Sequence, residues 1–434
     1  MSLSNSIKQL LYLSVPMILG QIGQMLIGAG DVYMASLYST NTVASIGVAN
    51  GVINPIFLFG IGLMMGVSPS IATRRGDGSD SRNDLLSILV YSASIGIILT
   101  FLTLLISKLI PFMGFDPIIV SSMMEYTNIV AWSLPFAIIF QAVKEYLQAY
   151  EDVFVPNLLS IIAVALNLLL NYILIFGFKG FEGYGEIGLA YASFIIRLVL
   201  LACILLYVLP REKLVKFSSS FILGIFKFSL PIAFMFFIEV LAFCSVTIMS
   251  GKLGIIEAAA NNIIMTIASI AFMVPLSLSS AVAIKVGHSF GLKDLKLIKV
   301  HSLASVIIIL SYVSLSASTF FIFPREILEF TSNDIDVINL GVKILIVVAI
   351  FQIVDSLQVV FTGILRGLHN TKVSSLLVFI GYWVIGIPIG IYLGFYDGLG
   401  AYGLWIGLAV SLTMTALFLF IYLMNRFNKL TNTI

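Results

Sequence analysis

The sequence has little charge and few cysteines or histidines, and each shortage narrows the fold class. Of its 434 residues only 10% are charged, whereas 60% are hydrophobic and the mean hydropathy is +1.10. A soluble core cannot hide that much apolar surface behind so few charges, so we expect a polytopic membrane protein that spans a lipid bilayer. The net charge of +2 gives no general attraction to nucleic acid, and we expect no nucleic-acid partner.

The two cysteines, Cys203 and Cys244, lie in apolar runs, so neither a disulfide framework nor a metal-binding spacing is indicated. The three histidines show no ligand spacing either. The first apolar run is long and lacks a cleavage site of the A-x-A type, so we expect it to act as a signal anchor. All loops are short, which argues against an appended soluble domain.

Apolar stretches of about 20 residues, separated by polar segments, predict an all-α fold with twelve transmembrane helices. The predicted spans lie near residues 10–33, 45–72, 86–110, 122–149, 156–178, 186–209, 225–250, 260–283, 301–323, 340–367, 373–395 and 400–424.

The distribution of Lys and Arg predicts the orientation of these spans. Lys108, Lys179, Lys252, Arg325 and Lys343 lie on one side, and Arg197 lies within the sixth span. The larger set lies on the side of the N-terminus: Lys8, Arg74, Arg75, Arg82, Lys144, Arg211, Lys213, Lys216, Lys227, Lys285, Lys293, Lys296, Lys299, Arg366, Lys372, Arg426 and Lys429. By the positive-inside rule, both termini are expected in the cytoplasm.

The second half of the chain resembles the first. VPMILGQIGQMLIG (15–28) aligns with LPIAFMFFIEVLAF (230–243), Gly76 with Gly291, and GYGEIGL (183–189) with GLGAYGL (398–404), all at one constant offset of nearly half the chain. Each half has six spans, so both copies have the same orientation in the membrane. The repeat predicts two pseudo-symmetric six-helix bundles, residues 1–217 and 218–434, that face a central cavity, which is a recurrent transporter design.

Polar side chains inside the first half form one candidate site. Asp31 shares a helical face with Gln21 and Gln24, and Asn167 and Asn171 are an i, i+4 pair on the fifth span. Such groups can join helices through interhelical hydrogen bonds, or they can bind an ion or a substrate. Both interpretations stay open for the amides.

The second half places its acids elsewhere. Glu239 lies mid-span on one helical face with Phe236, and Asp355 shares a stripe with Gln352 on the tenth span. A carboxylate at membrane depth costs about 2.5–3.5 kcal/mol on insertion scales, so a functional role is favoured for both acids. The repeat position of Glu239 in the first half is Gln24, so the two halves share a scaffold but differ in polar chemistry.

One enzymatic interpretation starts from IGAGDVYM (27–34), which resembles the Gly-x-Gly-Asp motif of intramembrane aspartyl proteases. That chemistry needs two aspartates that share a proton and activate water. The companion Pro-Ala-Leu sequence of presenilin-like proteases is absent, and a duplicated twelve-span chain does not match their architecture. We therefore expect a protein that is not an enzyme.

The combined motifs resemble the multidrug and toxic compound extrusion (MATE) family, in its bacterial NorM-type branch, over nearly the whole chain. In the first half they are GQIGQMLIGAGDVYMASLYS (20–39) and FGIGLMMGVSPSIA (59–72). In the second half they are FFIEV (236–240), PLSLSSAVAIKVGHSFG (275–291), VDSLQVVFTGILRG (354–367) and GYWVIGIPIG (381–390). The fold of that family, two six-helix bundles, agrees with the repeat.

The resemblance implies roles for the polar residues. Asp31 matches the first-helix aspartate of the family, with Asn167 and Asn171 as polar partners. Glu239 and Asp355 match the carboxylates of the second lobe that are associated with cation binding, which makes them the candidate Na+ ligands. Retention of acids in both lobes favours sodium coupling, although the same carboxylates can bind protons. Some relatives carry an aspartate where Asn171 stands, so a proton relay in the first lobe is disfavoured.

The implied activity is secondary active antiport in the bacterial cytoplasmic (inner) membrane. Transported Na+ or H+ drives the export of lipophilic, mostly cationic organic compounds, with no cofactor and with the monomer as the functional form. A carboxylate in a low-dielectric cavity takes up a proton or binds a cation, and an organic cation can satisfy the same charge. The candidate residues of the polar substrate cavity are Gln21, Gln24, Asn167, Asn171, Phe236 and Gln352.

Two other transporter classes are disfavoured. A flippase for lipid-linked precursors, from the same superfamily, would have a basic central cavity for a pyrophosphate head group, whereas the central charges here are acidic. A major-facilitator carrier also has two six-span halves, but TRRGDGSDSRND (73–84) lacks the Gly-x-x-x-Asp-Arg arrangement of that family.

Overall fold

The computed structural model describes residues 2–79, 81–212, 214 and 217–431. Within these ranges twelve helices are long and apolar enough to cross a membrane, which confirms the predicted number of spans. We number them α1 to α12: Leu3–Tyr38, Thr40–Gly76, Leu85–Phe112, Ile119–Ala149, Phe154–Phe176, Gly185–Val208, Ser219–Leu253, Ile255–Gly291, Leu295–Ile322, Ile335–Gly367, Thr371–Tyr396 and Gly400–Thr431.

The described residues contain no β-strand, only one isolated bridge between Phe178 and Phe181, so the all-α prediction is confirmed. Several helices extend beyond the predicted spans, because hydropathy marks the apolar segment and the backbone hydrogen bonds continue past it. Polar side chains fix some of the helix starts: Ser39 caps α2, Asp294 caps α9 and Asp334 caps α10 through backbone N–H groups of the first turn. A short helix, Pro324–Glu329, precedes α10.

Two spans are not regular α-helices. In α2, a turn after Met64 separates the segment Thr40–Met64 from Val67–Gly76. In α11, two π-helical segments, Ile380–Gly386 and Tyr392–Tyr396, flank the α-helical turn Ile387–Ile391, which contains Pro388. Proline cannot donate a helical hydrogen bond, and π-turns often occur at functional sites. Tyr382, on the first π segment, is a residue of the candidate site described below.

The chain forms two compact units. The N-terminal unit contains Val15–Ile71 and Ser79–Ala233, and the C-terminal unit contains Met1–Ser14, Ala72–Gly78 and Phe234–Ile434. In the N-terminal unit, Ile88, Leu134, Ile138 and Tyr146 are part of the largest apolar cluster. In the C-terminal unit, Phe351, Tyr382 and Trp405 belong to one cluster, and the indole N–H of Trp405 donates to Asn261 at 3.0 Å. The division into lobes 1–217 and 218–434 stays a prediction.

Within the C-terminal unit, two glycines paired by the sequence repeat meet. A Cβ atom on Gly76 would collide with the carbonyl oxygen of His288, and one on Gly291 would collide with the carbonyl oxygen of Thr73. Thr73 and His288 also occupy equivalent positions of the repeat, so the contact is reciprocal. Only glycine permits this approach of two backbones, which explains why the repeat has glycine at both positions.

Three of the basic residues used for the orientation are not fully described. Lys213 and Lys216 lie outside the described residues, and so does the side chain of Arg82. The orientation of the termini stays a prediction.

Candidate functional site

The N-terminal unit holds Asp31 in a dense set of hydrogen bonds. The amides of Asn167 and Asn171 donate to Oδ1 of Asp31 at 3.2 and 2.7 Å, and the hydroxyl of Ser193 donates to Oδ2 at 3.2 Å. All four residues are buried. Asn171 also donates to the side-chain oxygen of Asn167 at 3.2 Å, which their i, i+4 spacing on α5 allows. The structure therefore brings the predicted partners of Asp31 together, and both carboxylate oxygens accept hydrogen bonds.

Beside this carboxylate lies a cavity of about 590 Å³, which is within the usual range for small-molecule sites. Its lining includes Asp31, Gln24, Tyr126 and Arg197 as polar groups. Apolar side chains supply much of the remaining wall: Ile27, Phe57, Ile61, Phe140, Ile196 and Leu200. Gln21, which the helical pattern grouped with Gln24, is half-buried and is not among the lining residues.

The C-terminal unit holds the other two acids. The hydroxyl of Tyr382 donates to Oε1 of Glu239 at 3.0 Å, and the indole N–H of Trp383 donates to the carbonyl oxygen of Ile238 at 3.1 Å. These two contacts fix α11 against the middle of α7. Phe236 lines a small recess together with Glu239, as the sequence predicted for their shared face.

Asp355 lies on α10 and is near enough to Glu239 for the two carboxyl groups to interact electrostatically. It is 6% exposed, and its Oδ1 atom has no hydrogen-bond partner among the described residues. Gln352 and Asp355 line a recess of about 20 Å³, enough for one water-sized particle. The side-chain oxygen of Gln352 accepts from Ser316 at 3.0 Å, whereas that of Gln358 is buried without a donor.

This donor set consists of oxygens. Within the described part of the chain no group of three or more His, Cys, Asp or Glu side chains could hold a metal ion. A hard monovalent cation does not require three such side chains, because it also binds amide oxygens, which are not counted in such a group. Asp355, Glu239 and Gln358 present oxygens of this kind in one region, and at least two of those atoms lack a donor.

Sequence reasoning missed three contributors to these sites. Ser193 and Arg197 lie one turn apart on α6. Two polar side chains at this spacing on a mostly apolar span were the sequence pattern that could have identified them. Tyr382 donates to Glu239 from a π-helical turn, and no charge or periodicity distinguishes it from the other tyrosines.

The comparisons with known proteins agree with this architecture. The MatE family profile matches residues 16–173 and 231–392, and the two matches start at equivalent positions of the internal repeat. The chain is 30% identical to the multidrug resistance protein NorM of Photobacterium profundum over 431 residues, 95% of this chain and 94% of that protein. It is 28% identical to the multidrug resistance protein MdtK of Cronobacter sakazakii over 427 residues, 94% and 93% of the two chains.

Solved structures show the same fold. A crystal structure of MATE in complex with MaD3S superimposes with a TM-score of 0.90 at 20% identity, covering 98% of this chain and 97% of the other. The family match and the multidrug resistance proteins among the relatives exclude the protease interpretation of Asp31. The chain belongs to the MatE family, and the protein is a multi-pass membrane transporter, not an enzyme.

Proposed function

We propose that the protein exports lipophilic, mostly cationic organic compounds in exchange for a cation that binds at Glu239 and Asp355. The observation that carries the proposal is the state of Asp355, a buried carboxylate beside a second carboxylate, with one oxygen that accepts no hydrogen bond. Two acids so placed repel each other, and each oxygen without a donor carries a desolvation penalty of about 1–3 kcal/mol. Binding of a cation removes both costs at once.

Sodium is the coupling ion that this donor set favours, with protons competing for the same carboxylates. The free oxygens of Asp355 and Gln358 are ready ligands, and the tyrosine hydroxyl on Glu239 orients that carboxylate. An amide oxygen such as that of Gln358 binds Na+ but takes up no proton at ordinary pH. The relatives named multidrug resistance proteins support export of varied small organic compounds.

The Asp31 cavity is the proposed substrate site. Its volume, its apolar walls and the carboxylate of Asp31 suit an organic cation whose body packs on Phe57 and Phe140. If ion and substrate favour different states of the protein, the inward ion gradient drives the substrate out by alternating access. The bacterial inner membrane, cytoplasmic termini and a functional monomer belong to the same proposal.

Efflux from proteoliposomes tests this function. An organic cation is loaded, and an inward sodium gradient or an inward proton gradient is imposed, one at a time. We expect the sodium gradient to accelerate efflux strongly and Asp355→Asn to abolish the acceleration while the variant remains folded and inserted. Equal efflux with and without either gradient would overturn the coupled mechanism.

A further inference from the structure

A positive charge lies in the same cavity as Asp31. Arg197 is on α6, one turn after Ser193, the residue that donates to Asp31. Both Arg197 and Asp31 line the cavity. A guanidinium inside a membrane span is costly, and such groups face a protein interior or a substrate pathway.

The surrounding structure holds the guanidinium in a fixed orientation. Nη1 of Arg197 donates to the hydroxyl of Ser133 at 2.7 Å, and the guanidinium carbon lies 5.1 Å from the centre of the Phe57 ring. Ser133 is fully buried and donates in turn to the carbonyl oxygen of Val130 at 2.6 Å. The guanidinium thus contacts one ring face and makes one hydrogen bond, and its other N–H groups remain as donors for a ligand.

The charge of Arg197 is not neutralised by direct contact with a carboxylate. Among the described residues no acid forms an ion pair with it, and the oxygens of Asp31 accept from Asn167, Asn171 and Ser193 instead. Only Nη1 of Arg197 donates to a described residue, so Nε and Nη2 remain as donors on a side chain that lines the cavity. The cavity thus contains one acidic and one basic side chain that attract each other electrostatically but form no direct contact.

The internal repeat argues against a general packing role for this arginine. The repeat position of Arg197 in the second half is Leu412, a fully buried member of the apolar cluster of the C-terminal unit. The repeat position of Asp31 is Val246, which is also buried there. The repeated scaffold therefore accommodates apolar side chains at both positions, and of the two copies only the first carries charged side chains there.

We infer that the Asp31 cavity binds organic zwitterions, with a carboxylate of the ligand on Arg197 and its amine cation on the side of Asp31. The free Nε–H and Nη2–H groups of a guanidinium match the two oxygens of a carboxylate. The apolar walls take the body of the molecule. This inference rests on the proposed function and narrows its substrate class: Arg197 determines whether an acidic group is accepted.

Two dyes that differ by one group test the inference. One is a rhodamine with a free carboxylate and an amine cation, a zwitterion, and the other is the ethyl ester of the same dye, a cation. Binding to the purified full-length protein is measured by fluorescence anisotropy. Arg197→Leu, which installs the residue of the second half, should weaken binding of the acid at least about tenfold. It should not weaken binding of the ester, because it removes a like charge from the cavity that the cation enters.

Asp31→Asn is the reciprocal variant, because it removes the charge that faces the amine common to both dyes. It should weaken both dyes alike. Arg197→Lys keeps the charge without the planar pair of donors and should fall between the wild type and Arg197→Leu for the acid only. An equal loss of both dyes in Arg197→Leu, or no loss of either, would overturn the inference.

If Arg197→Leu does not fold, the affinities of the two dyes for the wild-type protein test the inference. The acid should bind about tenfold more tightly than its ester, and equal affinities would overturn the inference. Sodium-driven efflux of the ester from proteoliposomes checks the proposed function separately. Efflux of the ester without preference for the acid refutes only the role of Arg197, whereas no gradient-driven efflux of either dye refutes the transport proposal itself.

Discussion

Asp31 in the N-terminal unit and Asp355 in the C-terminal unit are buried in opposite ways. Both oxygens of Asp31 accept hydrogen bonds, three in all, whereas Oδ1 of Asp355 accepts none among the described residues. Asp31 lies beside a cavity of about 590 Å³, and Asp355 beside a recess of about 20 Å³. A satisfied carboxylate next to a large cavity suits an organic ligand. A carboxylate without donors next to a recess of atomic size suits a small ion.

The acids of the C-terminal unit and the wall of the Asp31 cavity occupy equivalent positions of the internal repeat. The repeat position of Asp355 in the first half is Phe140, which lines the Asp31 cavity, and that of Glu239 is Gln24, which lines it too. The same scaffold therefore carries the proposed ion-binding groups in one copy and the cavity wall in the other.

Asp355→Asn should have the largest effect. The substitution removes the charge that a cation would neutralise, so we expect gradient-driven efflux to fall at least about 100-fold, with substrate binding in the Asp31 cavity retained. Efflux from proteoliposomes and dye binding in detergent measure the two parts. Asp336→Asn is the matched control, because Asp336 is an exposed aspartate in the first turn of the same helix. Coupling that survives in Asp355→Asn would contradict the division of roles between the two units.

Tyr382→Phe should have a smaller effect on the same unit. The hydroxyl orients Glu239, and loss of such an outer partner typically lowers ion affinity about 10-fold. The sodium concentration that gives half-maximal efflux should therefore rise about 10-fold, with the maximal rate little changed. Tyr392→Phe, at an exposed tyrosine of the same helix, is the control and should behave as wild type. An unchanged sodium dependence in Tyr382→Phe would remove this hydroxyl from the site.

Asn171→Ala tests the other unit. It removes the shortest hydrogen bond to Asp31, at 2.7 Å, and leaves those from Asn167 and Ser193. We expect substrate affinity to fall up to about tenfold, since a hydrogen bond to a charged group contributes about 1.5 kcal/mol. The sodium dependence measured on the same preparation should not move. A shift in sodium dependence as large as the shift in substrate affinity would show that the two sites are not separate.

The smallest effect should come from His369→Gln, which changes the pH dependence of stability at a residue that belongs to neither site. Nε2 of His369 lies 2.9 Å from the hydroxyl of Thr73, and burial lowers the pKa of its imidazole. The stability that the neutral ring contributes is therefore complete above the ordinary pKa of about 6.5 and is lost as the pH falls below it.

Melting in detergent at pH 7.5 and 5.5 measures this contribution. The decrease in the melting temperature should be about 1–3 °C larger for the wild type than for His369→Gln, which lacks the titrating ring. An identical decrease in both proteins would contradict the assignment.

The sequence predicted much of this architecture, because apolar length and the repeat are local patterns. The twelve spans and the carboxylates could be read directly. The hydrogen bonds of Asp31 to Asn167 and Asn171 join residues 136 and 140 positions apart, and only the resemblance to a known family indicated them. Arg197 was visible as a charge within a span, but whether it pairs with an acid depends on three-dimensional distances that no periodicity contains.

The helix irregularities were also beyond sequence patterns. Tyr382 reaches Glu239 from a π-helical segment, and hydropathy does not distinguish that segment from a regular helix. Likewise, the turn after Met64 in α2 interrupts a sequence that is apolar on both sides. These irregularities reflect packing between spans, which is settled by tertiary contacts and not by local propensity.

The most direct test of the division is sodium binding by the purified protein without substrate, measured by calorimetric titration at a pH where protons do not compete. Three proteins are compared: the wild type, Asp31→Asn and Asp355→Asn. If the two units divide the roles in this way, sodium binding is saturable in the wild type and in Asp31→Asn and is absent in Asp355→Asn. Sodium binding that disappears in Asp31→Asn and persists in Asp355→Asn would contradict this division.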